Sequence, residues 1–193
     1  ALIKSGSCSP AYTNVITITV ILSPSVTLSG TATICQGSTT TITASFGNAD
    51  NSTGYEMQVN GTGFSNMGTG ATGQAALVSA LTNISPSSTS TYQVRVTNAG
   101  CSPVVSNSIT ITVNTSSVGG TINPATSTVC ATSNSGTLTL TGSNGSVLQW
   151  EYTTDGGLTW NVISSTSVTR PFNNLTTTTQ YRALVKNGVC NSQ

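Results

Sequence analysis

T-Y-Q-V-R-V-T-N-A-G-C, Thr91 to Cys101, and Q-Y-R-A-L-V-K-N-G-V-C, Gln180 to Cys190, are two copies of one pattern set 89 residues apart. In both, a tyrosine precedes a cysteine by nine residues. Side chains alternate faces along a β-strand, so the first copy puts Tyr92, Val94 and Val96 on one side and Gln93, Arg95 and Thr97 on the other. That is the signature of a strand with one face in a core. Working outward from this stretch gives the rest of the chain.

Two further pairs of segments repeat at nearly the same interval. C-S-P-A-Y-T-N-V-I-T-I-T-V from Cys8 to Val20 matches C-S-P-V-V-S-N-S-I-T-I-T-V from Cys101 to Val113, and T-A-T-I-C ending at Cys35 matches T-S-T-V-C ending at Cys130. The chain reads as a tandem array: residues 1–22 as the C-terminal end of a preceding repeat, 23–114 as one whole repeat, and 115–193 as a repeat lacking its final strand. It reads, further, as a segment of a longer polypeptide. Ile109, Ile111 and Val113 alternate with Thr110 and Thr112, and Thr137 to Thr141 and Thr41 to Ala44 alternate likewise. Gly, Asn, Ser and Pro clusters separate these runs, and helical spacing is not evident. Several short antiparallel strands per ~90 residues predict an all-β chain of tandem immunoglobulin-like sandwiches.

Composition sets the surface chemistry. Of 193 residues, 66 are Ser or Thr, while five Lys and Arg face four Asp and Glu and histidine is absent. A net charge of +1 offers no basic footprint for nucleic acid. No apolar run reaches the ~18 residues of a membrane helix, and the first residues lack the organisation of a signal peptide.

Five cysteines without a C-x-x-C pair or a histidine point to disulfides rather than zinc. Aligning the repeats predicts one bridge inside each, Cys35 with Cys101 and Cys130 with Cys190, leaving Cys8 to a partner upstream of Ala1. Each would close a loop worth roughly 4 kcal/mol in the chain-entropy model. Disulfides imply an oxidising compartment outside the cytoplasm.

Late Tyr-x-x-x-Val-x-Asn-x-x-Cys, then Ser-Asn-x-Ile-Thr-Ile-Thr-Val, then an early cysteine, with Trp150-x-Tyr152-x-x-Asp155-Gly156-Gly157-x-Thr159-Trp160 between, resembles the Ig-like repeats of giant Bacteroidota cell-surface adhesins. The flavobacterial gliding-motility adhesin is one of these. The resemblance implies export by type IX secretion, a place at the outer-membrane surface, and a non-catalytic role in attachment or gliding. The implied partners are neighbouring repeats, surface polysaccharide or substratum, and the secretion and anchoring machinery. In the repeat from Ser23, Tyr55 and Phe64 stand where Trp150 and Trp160 stand, and Asn60-Gly61 replaces the Asp-Gly turn.

Thr153 to Trp160, T-T-D-G-G-L-T-W, also fits the Asp-box hairpin pattern of sialidase-like propellers. Its repeat context makes it a turn. Glu56 and Glu151 occupy equivalent positions in separate repeats and cannot converge on one substrate, and no histidine stands ready to activate a hydroxyl. The sequence therefore predicts no catalytic residue, no metal ligand and no cofactor. Trp150 and Tyr152 are expected in the core, with Tyr92 and Tyr181 as structural tyrosines. Trp160 is expected to pack across its hairpin, with stacking on a sugar ring as the alternative. That alternative would suit a carbohydrate-binding or spacer module of a secreted polysaccharide-degrading enzyme.

Overall fold

A computed structural model describes residues 1–30, 32–50 and 53–193. The chain opens on a hairpin of β1 (Leu2–Ile3) and β2 (Ala11–Tyr12). Residues 13–24 follow as an irregular run in which Ile16, Ile18 and Val20 are exposed.

The first repeat contains β3 (Ser25–Gly30), β4 (Thr33–Cys35), β5 (Ile42–Gly47), β6 (Gly54–Val59), β7 (Ser65–Thr69), α1 (Gly70–Ala80), β8 (Ser90–Thr97), β9 (Val104–Val105) and β10 (Ile109–Asn114). One sheet runs β4-β10-β8-β6-β7, with β9 also on β8, and β3 pairs with β5 in the other. Period 2 decides the packing. Ser90, Tyr92, Val94 and Val96 are buried along β8 while the intervening residues are only half-buried, and Ile111 is buried from β10. These side chains meet Val26 and Leu28 of β3, Ile42 of β5 and Tyr55 of β6 in one core. The result is a sandwich, as the alternation predicts. Asn107 of the Ser-Asn motif spans the two layers. Its amide accepts from the Leu28 N–H at 2.8 Å and donates to the Leu28 carbonyl at 2.9 Å, taking the place of a ladder pair.

The second repeat contains β11 (Thr121–Asn123), β12 (Ser135–Thr141), β13 (Ser146–Thr153), β14 (Asn161–Ile163), β15 (Thr169–Asn173) and β16 (Gln180–Lys186). Its sheets are β11-β12-β15 and β14-β13-β16. Leu138, Leu140, Val147, Trp150 and Val185 form a separate core, and the indole N–H of Trp150 donates to the Ser167 carbonyl at 2.8 Å.

Three expectations need correction. First, helix α1 takes the place in chain order that β15 takes in the second repeat, but it packs on β6 and β7 whereas β15 pairs with β12. Leu77 on its inner face and Leu81, which caps its C-terminus, are fully buried. Gly73 lets the helix lie against β7, because a Cβ there would collide with the backbone of Gly68. Glycine at a buried helix position hides the apolar period. Second, the strands are not all antiparallel, since β4 runs parallel to β10 in the register Ile34↔Val113 and Cys35↔Asn114.

Third, neither predicted bridge forms within a repeat. Cys35 is bonded to Cys190, with 5.0 Å between their Cα atoms, and Cys8, Cys101 and Cys130 are free thiols. The parallel pairing explains this. It carries Cys35 to the last residue of β10, which is the end of the repeat that faces the next one. Cys101 lies elsewhere, against the carbonyl of Ile21 in the segment that enters the repeat.

Candidate functional site: the outer-face ladders and the inter-repeat joint

The hairpin of the Asp-box pattern is built from its own residues. The Thr153 hydroxyl donates to the Asp155 carboxylate at 2.6 Å and accepts from the Asp155 and Gly157 amides. The same carboxylate accepts from the Thr159 amide and hydroxyl. Gly156 and Gly157 carry the positive φ values of 76° and 97° that the turn demands. These bonds, from Thr153 first and then Thr159, hold the Asp155 carboxyl far below the usual carboxylate range. Its lone pairs are used by the turn.

Beyond the hairpin, Trp160 is half-buried with the Arg182 guanidinium 4.0 Å from its ring centroid. Arg182 sits opposite Glu151 on the adjacent strand and donates to it at 2.5 Å, and Gln149 donates to the other carboxylate oxygen at 2.7 Å. The first repeat carries the same ladder with a smaller ring. Arg95 lies 4.5 Å from the Phe64 centroid and grips Glu56 with two bonds, of 2.5 and 2.8 Å. Hydrogen bonds from the arginines hold both glutamates below their ordinary pKa. The arginines look scattered in sequence; cross-strand register brings Arg95 and Arg182 each to a glutamate, whereas Arg170 lies opposite Leu138. Strand pairing was the missing signal.

Chemically, these ladders are saturated. Glu56, Glu151 and Asp155 each have their partners, and Asp50 is tied to Thr53. Among the described residues no three His, Cys, Asp or Glu side chains gather as a metal site would require. Trp150 is wholly buried, as expected, whereas Tyr152 is half-buried beside Tyr181, with ring centroids 6.5 Å apart. Tyr92 is buried in the first core.

The second constellation is the joint. The Asn187 side-chain amide donates to the Thr115 carbonyl at 2.9 Å, and the Asn187 backbone N–H donates to the Ser117 hydroxyl. Asn144 donates to the Ser116 carbonyl at 2.7 Å and exchanges backbone bonds with Val118. Gly188 has φ +53°, and a Cβ there would overlap the Asn114 side chain. The sulfur of Cys190 rests 3.4 Å from the Asn114 carbonyl, and the Gln36 amide donates to that same carbonyl at 2.8 Å. One linker residue thus touches both repeats.

The entry to the first repeat repeats these contacts. Asn98, counterpart of Asn187, donates to the Leu22 carbonyl at 3.2 Å and to the Asn48 carbonyl at 2.7 Å, and accepts from the Thr53 hydroxyl. Cys101, counterpart of Cys190, rests 3.6 Å from the Ile21 carbonyl. The motif Asn-x-x-Cys is therefore a linker clamp, read from sequence only as part of a strand.

The family described as "Domain of unknown function (DUF8696)" matches residues 25–115 and again residues 118–193. The chain belongs to this family. Its two DUF8696 repeats meet at the joint just described. Among solved structures, the chain is similar to the crystal structure of chicken CNTN1 FN1-FN3 domains, at 12% identity and a TM-score of 0.33, over 95% of this chain and 67% of that one. No curated protein matches the chain. Among the described residues no helix is long and apolar enough to cross a membrane.

Proposed function

We propose that these DUF8696 repeats are a non-catalytic segment of a long extracellular filament at a cell surface, serving attachment or gliding. The observation that carries this reading is the duplicated joint. The same asparagine and cysteine grasp the incoming linker at Leu22 and Ile21 and again at Thr115 and Asn114. A module that carries its own coupling to its neighbour extends by addition, each repeat touching only the next. The saturated carboxylates favour a non-enzymatic role, since a general acid or base needs a proton it can exchange. By resemblance, export uses type IX secretion, and the partners are neighbouring repeats and surface polysaccharide or substratum.

With nine formal charges in 193 residues and a net of +1, adhesion should be insensitive to salt. Attachment of cells or coated beads measured between low and high ionic strength tests this; a steep fall would overturn a neutral contact surface. The mass of the intact native polypeptide is the second test, hundreds of kilodaltons being the expected value for such a filament. Trp160→Ala separates the carbohydrate-module alternative: the filament reading expects loss of stability with glycan retention unchanged. Arg182 already occupies a face of that ring, which supports the filament reading.

A further inference from the structure

The only disulfide among the five cysteines crosses a repeat boundary, and the three thiols left over are the ones a boundary-crossing rule would leave. Cys35 is the early cysteine of the first repeat and Cys190 the late cysteine of the second. Pairing the early cysteine of each repeat with the late cysteine of the next leaves no partner within the chain for Cys101, Cys8 or Cys130. Pairing inside repeats would instead have closed two bonds here.

The geometry around Cys101 agrees. In the bonded pair, Cys190 lies on the carbonyl of Asn114, and Cys35 is the parallel neighbour of that same Asn114. Cys101 lies on the carbonyl of Ile21, the counterpart of Asn114, with Asn98 clamping Leu22 beside it. A β4-type strand laid parallel to the Ile16–Ile21 segment would bring its cysteine to Cys101. Even the turn is shared. Cys8, Cys101 and Cys190 each donate their amide to the carbonyl three residues back, at Ser5, Asn98 and Asn187. The hairpin pairs Ile3↔Ala11 and Val96↔Val104 are likewise equivalent.

We propose that DUF8696 arrays are stapled across every joint, and that Cys101 and Cys130 are the attachment points for the repeats on either side of this pair. Cys101 bonds the early cysteine of a preceding repeat, and Cys130 bonds the late cysteine of a following one. Closing each staple joins two sulfurs and releases two protons and two electrons. An exchangeable disulfide of the surrounding compartment takes them and is itself cleaved to two thiols, by exchange through a mixed disulfide. Nothing in this depends on what the outer faces bind.

Peptide mapping after alkylation without reduction tests the rule. In the 193-residue chain, Cys35 and Cys190 should appear as one linked peptide pair, with Cys8, Cys101 and Cys130 alkylated. In Cys35→Ser, Cys190 should become fully alkylated; a Cys130–Cys190 link there would overturn the proposal. In Cys190→Ser, Cys35 should become alkylated, and a Cys35–Cys101 link would overturn it. Should either variant fail to fold, the double variant Cys101→Ser, Cys130→Ser must keep the Cys35–Cys190 link, and its loss counts against the rule. In a native array with a repeat on each side, Cys101 and Cys130 must both be linked to cysteines outside these 193 residues. Thiols still open to alkylation at either position would sink it.

Discussion

The two repeats share a strand plan and differ at one edge. In the first, β10 lies beside β8, holds β4 in parallel and shuts the core, so Ile34 is 6% exposed and Tyr92 is buried. In the second, no β10-type strand lies beside β16 among the described residues. Val129, the counterpart of Ile34, is 41% exposed, and Tyr181 is half-buried. Val129 and Tyr181, with Ile122, Leu138 and Phe172, line an open cleft of about 440 Å³. Thr128, Val129 and Cys130 have the composition of β4 yet form no strand. The difference lies in pairing: Thr33–Cys35 is a strand on the edge of β10, and Thr128–Cys130 has no such ladder among the described residues.

Removing the second core should have the largest effect. Trp150 is fully buried, and Trp150→Ala should cost about 3–5 kcal/mol. Denaturant unfolding should then resolve two transitions, the second repeat melting first; a single unchanged transition would mean the repeats do not fold as separate cores. Cys190→Ser comes next. With the first repeat folded, Cys35 is held at Asn114, so the bond ties the unfolded second repeat into a loop between positions 76 residues apart. Losing it should lower the stability of the second repeat by about 2–4 kcal/mol, and chemical reduction of the parent chain should match it.

Helix α1 distinguishes the repeats in the other direction. Gly73→Ala forces a methyl into the Gly68 backbone and should cost the first repeat about 1–3 kcal/mol, leaving the second transition where it was. At the joints, Asn98 is buried and Asn187 is half-buried. Asn98→Ala should cost about 1–2 kcal/mol by stranding the Leu22 and Asn48 carbonyls, and Asn187→Ala less, by the same unfolding measurement. The smallest effect belongs to Asp155. Its folded pKa is depressed, so its contribution is present above the ordinary unfolded value of about 3.9 and is lost as pH falls through the lower folded one. Stability of the second repeat should be flat from neutral pH to about pH 5 in respect of this residue. Asp155→Asn should lower the stability of the second repeat slightly at neutral pH and remove this residue's part of the acid limb, read by tryptophan fluorescence on acidification.

Much of this fold was legible in the chain. The alternation in Tyr92–Thr97 and Ile109–Val113 placed the strands on the correct faces because pleating leaves no choice once one side is buried. Trp150 followed from the same rule. Helix α1 was hidden because small residues, Gly70 and Gly73, occupy its inner face beside Leu77. The aromatic–arginine–glutamate ladders needed the strand register, which joins Glu56 to Arg95 and Glu151 to Arg182 over separations of 39 and 31 residues. The cysteine pairing failed for a different reason. Aligning repeats reveals which cysteines are equivalent, but sliding every partner by one repeat leaves that alignment unchanged. Only the parallel strand β4, which carries Cys35 to the joint, breaks the tie.

The bond between Cys35 and Cys190 also governs how the chain bears tension. Rods of sandwich domains lengthen under load by unravelling one domain at a time. Here, force entering through β3 and β4 reaches Cys35 and crosses directly to Cys190. The 155-residue separation between them, roughly 500 Å of extended chain at ~3.4 Å per residue, never enters the load path. The second core, and all of the first except its β3 and β4 side chains, sit inside that bypassed span, so under load the pair should act as a stiff link whose length is set largely by a covalent bond.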